Sequence, residues 1–140
     1  MQKRLYLDSV TIIYLLENTA KKPAVLSALS KYPNYTICSS ALALMECLIK
    51  PLQNNDQLLV AAYNSYFQTL LRIPSHLEVF RRAATIRAST NLRTPDALHL
   101  AYASTGRCEV ILTGDQQWQQ CGIRSVLCHS PSAQCLFRHN

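Results

Sequence analysis

Short strand candidates alternate with helical segments along most of this chain. The strand candidates are rich in β-branched, aromatic and other apolar residues, and they fall at residues 4–7, 35–38, 71–74, 109–113 and 123–127. The helical segments between them carry apolar residues at helical spacing, and they fall at residues 10–17, 22–31, 41–49, 56–71, 77–89 and 97–104. We expect Pro51 to stop the third of them and Thr94 to cap the start of the last. Parallel strands are joined by helical crossovers that cover both faces of their sheet. The alternation therefore predicts an α/β fold with a central parallel sheet of about five strands flanked by helices.

The length of the chain fits one domain. Its 140 residues, of which 49% are apolar and 16% charged, are enough for a sizeable core. We predict a folded domain over residues 1–128 and a loose polar tail over residues 129–140. No apolar stretch reaches the roughly 20 residues that span a bilayer. The basic start, Met1 to Arg4, is not followed by a signal-peptide pattern. We expect a cytoplasmic protein without a membrane anchor.

The cysteines fit a reduced compartment. There are six, with no C-x-x-C pair, and several fall in apolar runs, so we interpret them as buried thiols. One alternative lies in the last twenty residues. Cys121, Cys128, Cys135 and His139 are zinc-ligand types, but they lack the tight paired spacing of structural zinc sites.

The charge balance favours an anionic partner. Fourteen Lys and Arg against eight Asp and Glu give a net charge of +6, and a basic surface attracts phosphate backbones. Ordinary solvated charge is the alternative, because the basic residues are scattered along the chain rather than clustered.

Half of the eight acids lie where one predicted element gives way to the next. They are Asp8, Glu46, Asp96 and Asp115. The carboxyl ends of parallel strands form the binding crevice of an open α/β sheet, so these four side chains are expected to meet there. Clustered carboxylates resist ionising together unless a cation compensates them. Carboxylate oxygens suit a hard divalent ion such as Mg²⁺ or Mn²⁺.

Each acid also has an ordinary structural explanation. Asp8 and Asp96 lie where helix caps or first-turn acids are common, and Asp115 follows a glycine in a turn. Glu46 is harder to explain in this way, because its helix is apolar on nearly every side and a lone buried carboxylate is costly.

Four segments of the chain, in order, resemble the conserved blocks of PIN-domain nucleases, and above all the small VapC-type ribonuclease toxins. The most specific is the run Pro-Asp-Ala-Leu-His-Leu-Ala at residues 95–101. The four segments are residues 5–9, 40–46, 93–103 and 111–115. Together they span most of the chain and leave out the tail after Cys128.

The resemblance implies a function. The chain is expected to be a Mg²⁺- or Mn²⁺-dependent endoribonuclease, the toxin of a type II toxin–antitoxin module, which hydrolyses RNA by means of a metal-activated water. The positions that match the family's acidic metal ligands are Asp8, Glu46, Asp96 and Asp115. Ser9 matches the small polar residue beside the first acid, and Thr113 the hydroxyl residue before the fourth. Expected partners are the RNA substrate, a cognate antitoxin and a second copy of the chain in a homodimer.

Two further residues are candidates for the same site. His99 follows Asp96 by three positions on one helix face, where it can orient a ligand or touch phosphate; the alternative is a packed core histidine. Arg93 precedes the Asp96 helix and is a candidate phosphate contact, with a solvated loop residue as the alternative.

Departures from the family pattern keep other functions open. Val10 replaces a frequent Asn or Thr, Ala43 a frequent Ser or Thr, and Gln116 and Gln117 stand where relatives carry a further acid. A catalytically silent RNA-binding module and a housekeeping RNA-processing nuclease are the alternatives. A haloacid-dehalogenase-type phosphatase would need an acid at Val10. A dinucleotide-binding domain would need a glycine-rich first turn, which this chain lacks.

Overall fold

The computed structural model describes residues 2–17 and 19–113, together with the backbone of 125–127 and 135–136. Twelve elements follow one another along these residues. In chain order they are β1 (Arg4–Leu7), α1 (Ser9–Leu16), α2 (Lys22–Ser30), β2 (Thr36–Ser39), α3 (Ala41–Gln53), α4 (Gln57–Gln68), β3 (Leu71–Arg72), α5 (Leu77–Ser89), α6 (Thr94–Thr105), β4 (Val110–Thr113), β5 (Ser125–Leu127) and β6 (Cys135–Leu136).

The strands form one sheet in the order β3-β2-β1-β4-β5-β6. The first five strands of that order are parallel, and β6 runs antiparallel to β5. Leu5 pairs with Ile37 on one side and with Val110 on the other, so β1 lies at the centre. The predicted α/β fold with about five parallel strands is confirmed.

Both faces of the sheet are covered. Alternate residues of β1 point to opposite faces, and accordingly Tyr6 belongs to one core while Leu5 and Leu7 belong to the other. The Tyr6 core is closed by α5 and α6, and the Leu5–Leu7 core by α1, α2, α3 and α4. This burial explains why β1 and β4 are almost continuously apolar.

The topology places a crevice at the carboxyl ends of β1 and β4. From β1 the chain moves outward through β2 to β3, and then crosses back to β4 on the other side of β1. The gap between β1 and β4 is therefore the point at which the strand order reverses, where open α/β sheets bind their ligands. Asp8 follows β1 directly and Thr113 ends β4.

Two predictions about helix ends were wrong. Pro51 does not stop α3, which continues to Gln53 with Pro51 buried in its last turn. A proline's fixed φ suits a helix, but inside a helix proline lacks the N–H for a backbone bond and its ring crowds the carbonyl four residues earlier. Thr94 is not a cap either: α6 begins at Thr94 itself, and Arg93 holds the N-cap position without a side-chain bond.

The predicted tail is described only at two residues. Cys135 and Leu136 form β6, which pairs with Val126 and Ser125 of β5. The boundary at residue 128 stays a prediction. Cys38, Cys47 and Cys108 are free and buried, as expected, whereas the other three cysteines lie outside the described side chains. Within the described residues, no helix has the length and apolar character needed to cross a membrane.

Candidate active site

Asp8 is a buried carboxylate held at both oxygens. It is the N-cap of α1, and its Oδ1 accepts a hydrogen bond from the Thr11 backbone N–H at 2.8 Å. Its Oδ2 accepts one from the Thr113 hydroxyl, also at 2.8 Å, which ties the end of β1 to the end of β4. Only 3% of the residue is exposed. Burial raises the pKa of Asp8, and the neighbouring His99 and the hydrogen bonds from Thr11 and Thr113 oppose that rise without cancelling it.

Glu46 reaches the same region from the second turn of α3. Its Oε1 accepts a hydrogen bond from Ser9 Oγ at 3.1 Å and lies 2.5 Å from His99 Nε2. The side chain is 26% exposed. Burial would raise the pKa of Glu46, but the bond and charge of His99 and the bond from Ser9 outweigh it, so the pKa lies below its ordinary value. Glu46 is therefore ionised at neutral pH.

Asp96 lies in the first turn of α6, where a carboxylate is favoured by the helix dipole. Its side chain is 18% exposed, and its Oδ2 lies 3.7 Å from Nε of Arg93. The Arg93 side chain is 87% exposed, so this ion pair is weak and the guanidinium is accessible from solvent.

One cleft of about 310 Å³ brings these residues together. It is lined by Asp8, Ser9, Val10, Glu46, Arg93, Pro95, Asp96 and His99. Thr113, the remaining candidate that the structure describes, contacts Asp8 from β4. Asp115 lies outside the described residues, and its place in the site stays a prediction.

The donor set of the cleft fits a partly hydrated divalent cation. In the described part of the chain, no three His, Cys, Asp or Glu side chains lie close enough to hold a metal ion by themselves. Three carboxylates nevertheless face one cleft, and the most buried of them, Asp8, has a raised pKa. Mg²⁺ keeps several waters and needs only one or two protein carboxylates, so these oxygens suit it or Mn²⁺.

Two residues of the site were missed in the sequence. The Tyr6 hydroxyl lies 2.8 Å from His99 Nδ1 and 2.7 Å from Ser40 Oγ, and all three side chains are buried. In the sequence Tyr6 is one apolar residue of a strand, and Ser40 is a helix cap. The only signal was that Tyr6 precedes Asp8 by two positions, which is the spacing of one strand face.

The sequence model of the PIN domain matches residues 5–123, which is most of the chain. This chain belongs to the PIN-domain family. The matched range includes all four candidate acids and ends before the predicted tail. Comparison with curated protein sequences gave no match.

Solved structures resemble this PIN domain closely in fold. The DNA-bound VapBC complex of Salmonella typhimurium matches with a TM-score of 0.74 at 17% identity, over 91% of this chain and 99% of that one. VapBC-1 of nontypeable Haemophilus influenzae matches with a TM-score of 0.71 at 16% identity, over 90% and 98%. Mycobacterium tuberculosis VapC20, described as a toxin that cleaves the sarcin–ricin loop, matches with a TM-score of 0.67 at 11% identity, over 85% of this chain and 95% of that one. At these identities the likeness establishes the fold.

Proposed function

We propose that this protein is a divalent-metal-dependent endoribonuclease, the toxin of a type II toxin–antitoxin module. The observation that carries the proposal is the cleft at the carboxyl ends of β1 and β4, which gathers Asp8, Glu46 and Asp96 in a PIN domain, and the whole chain has a net charge of +6. Metal-dependent cleavage of a phosphodiester requires such a group of oxygen ligands beside a surface that attracts a polyanion. The neighbouring VapBC and VapC structures support the toxin assignment.

The acids have different proposed tasks. Asp8, Asp96 and Asp115 would hold Mg²⁺ or Mn²⁺, and Glu46, the fourth acid of the metal-ligand set, would hold or orient the attacking water. When bound, the ion supplies a water of lowered pKa and compensates charge on the phosphate. Glu46 suits its task because its lowered pKa keeps it an acceptor near neutral pH. The hydroxyls of Ser9 and Thr113 fix the orientation of Glu46 and Asp8.

Arg93 is proposed as a phosphate contact. Its guanidinium lines the cleft, is almost fully exposed and is only weakly engaged by Asp96. An arginine in this position can bind a phosphate oxygen of the RNA through two parallel N–H donors. We expect products with 5′-phosphate and 3′-hydroxyl ends.

The protein partners are proposed on the same basis. Among the described residues, α3 carries an exposed apolar stripe at helical spacing, Met45, Ile49 and Leu52, each about half exposed. We propose that this stripe is covered when two copies of the chain pair. A cognate antitoxin is proposed to cover the catalytic cleft, and the toxin is proposed to act in the cytoplasm.

The test is cleavage of total cellular RNA by the purified, antitoxin-free protein with Mn²⁺ or Mg²⁺. Parallel samples contain EDTA or the Asp96→Asn variant. Discrete fragments that appear only with metal and wild-type protein would establish the nuclease, and sequencing their ends would give the cut site and the end chemistry. A folded protein that binds RNA but cleaves no pool would instead indicate a silent RNA-binding module.

A further inference from the structure

A network of hydrogen bonds runs from the backbone of α3 past Tyr6 of the central strand β1 to the Glu46 carboxylate. The Ala43 backbone N–H donates to Ser40 Oγ at 3.2 Å, and Ser40 Oγ lies 2.7 Å from the Tyr6 hydroxyl. The Tyr6 hydroxyl lies 2.8 Å from His99 Nδ1, and His99 Nε2 lies 2.5 Å from Glu46 Oε1. Each link is short enough to be a hydrogen bond.

The groups at the two ends of this hydrogen-bond network differ in what they can donate and accept. The backbone N–H of Ala43 can only donate, and the ionised Glu46 carboxylate can only accept. The Tyr6 phenol has a single hydrogen to donate, and its two neighbours are Ser40 Oγ and His99 Nδ1. When the imidazole carries one hydrogen and donates it from Nε2 to Glu46, Nδ1 is an acceptor. Tyr6 then donates to Nδ1 and accepts from Ser40.

The consequence lies at Glu46. Both of its donors among the described residues, Ser9 and His99, fall on the same oxygen, Oε1. His99 is only 3% exposed, and its ring also makes an edge contact with the Tyr6 ring at 5.9 Å between centroids. The imidazole is thus fixed by packing as well as by hydrogen bonds, and it holds one Glu46 oxygen while the other remains for the cleft.

We propose that Tyr6 and His99 are positioning residues of the nuclease site, which lock Glu46 by Oε1 and present Oε2 to the bound ion and its water. In this arrangement the Tyr6 hydroxyl selects the ring tautomer that carries its hydrogen on Nε2, and that hydrogen is the one given to Glu46. The inference rests on the proposed function, because it assigns Glu46 to the metal-dependent reaction. Hydrogen-bonding partners of this kind typically change metal affinity or activity 10- to 100-fold when they are removed.

The test compares Tyr6→Phe with Tyr102→Phe. Both changes remove one hydroxyl from a buried tyrosine of the same core, but the Tyr102 hydroxyl bonds Ser75 at 2.8 Å, whereas the Tyr6 hydroxyl bonds His99. We expect Tyr6→Phe to weaken Mn²⁺ binding about tenfold by calorimetry and to lower kcat by a similar factor with little change in KM. Tyr102→Phe should leave all three within about twofold. A second pair tests the imidazole: His99→Gln keeps an N–H donor and should retain more Mn²⁺ affinity than His99→Phe.

Nuclear magnetic resonance gives a readout that does not depend on activity. The ring nitrogens of His99, identified by their loss in His99→Gln, should show the hydrogen on Nε2 in the metal-free wild type, and Tyr6→Phe should weaken that preference. If the wild type cleaves RNA and Tyr6→Phe matches Tyr102→Phe in Mn²⁺ affinity and kcat, the inference is wrong while the nuclease stands. If no RNA is cleaved, the proposed function fails, and Mn²⁺ affinity with the ring spectra still decides the role of Tyr6.

Discussion

The charge on Asp8 should destabilise the protein in the absence of metal. Burial raises the pKa of this carboxyl in the folded state. A carboxyl whose pKa is higher folded than unfolded stabilises the fold in its protonated form, so its contribution is fully present below the ordinary pKa of Asp. That contribution is lost as the pH rises through the folded pKa. Near neutral pH, Asp8→Asn should therefore raise the melting temperature of the metal-free protein.

The size of the gain follows from the pKa. For each pH unit by which the pKa of Asp8 is higher in the folded than in the unfolded state, the charged carboxylate lowers the free energy of unfolding by about 1.4 kcal/mol. Asn carries no charge and avoids this loss. For a domain of this length, 1.4 kcal/mol corresponds to about 5 °C in melting temperature. At the cap the substitution costs little, because Asn is as good an N-cap as Asp and its Oδ1 can still accept from the Thr11 N–H. Its Nδ2 would have to donate to the Thr113 hydroxyl, which reverses the bond that Asp8 accepts there.

Thermal unfolding in EDTA measures this effect, with Asp56→Asn as the matched control. Asp56 is the exposed N-cap of α4 and accepts from the Leu59 N–H at 3.1 Å, so the control makes the same change at a solvated cap. It should lose a little stability, about 0.3–1 kcal/mol from the helix dipole. The reasoning is refuted if Asp8→Asn melts no higher than this control, or if its advantage persists at a pH low enough to protonate Asp8.

Added Mn²⁺ should make the wild type melt at a higher temperature than Asp8→Asn, which reverses the order expected in EDTA. A ligand present at 100 times its dissociation constant stabilises the folded state by about 2.7 kcal/mol. The wild type should gain this much, and Asp8→Asn should gain much less because a ligand has been lost. Stabilisation of both proteins by the same amount would show that Mn²⁺ binds elsewhere.

Three further changes probe the cleft rim, the α3 stripe and the packing of α6. Arg93→Gln should raise KM for RNA severalfold with kcat nearly unchanged, and it should lower the slope of log KM against log salt concentration by about 0.7. Arg81→Gln, on the exposed side of α5, should leave both KM and this slope unchanged. Ile49→Lys should shift the protein toward monomer in sedimentation analysis, with stability within about 0.5 kcal/mol of wild type; an unchanged dimer would place the interface away from α3. Gly106→Ala places a Cβ 2.4 Å from Cδ1 of buried Ile73 and should cost about 1–3 kcal/mol in urea unfolding, and a neutral result would show that Ile73 can move.

Local patterns predicted the elements that are buried or clearly bounded. Strand β1 was predicted at residues 4–7, and α5 was predicted from Leu77 to Ser89, both with the ends that the structure shows. Pro51 misled because its local effect opposes a helix, whereas the last turn of α3 is held by packing and continues through it. Propensity is a weak guide where tertiary contacts decide.

The site was predictable only as far as strand order allows. Asp8 follows a strand and Asp96 opens a helix, and a parallel sheet brings such positions to one edge. The partners of Tyr6 could not be predicted, because Ser40 lies 34 residues away and His99 lies 93 residues away in sequence. The spacing of neighbouring residues in the sequence does not predict hydrogen bonds between residues that are this far apart.

The most direct test measures Mn²⁺ binding and RNA cleavage on the same preparation. Calorimetry gives the dissociation constant of the ion, and cleavage rates over a Mn²⁺ series give the concentration of half-maximal activity. We expect the two values to agree for wild-type protein, and both signals to disappear in Asp8→Asn and in Asp96→Asn but not in Asp56→Asn. Cleavage that persists in either site variant, or that is half-maximal far from the binding constant, would contradict a metal site built on these carboxylates.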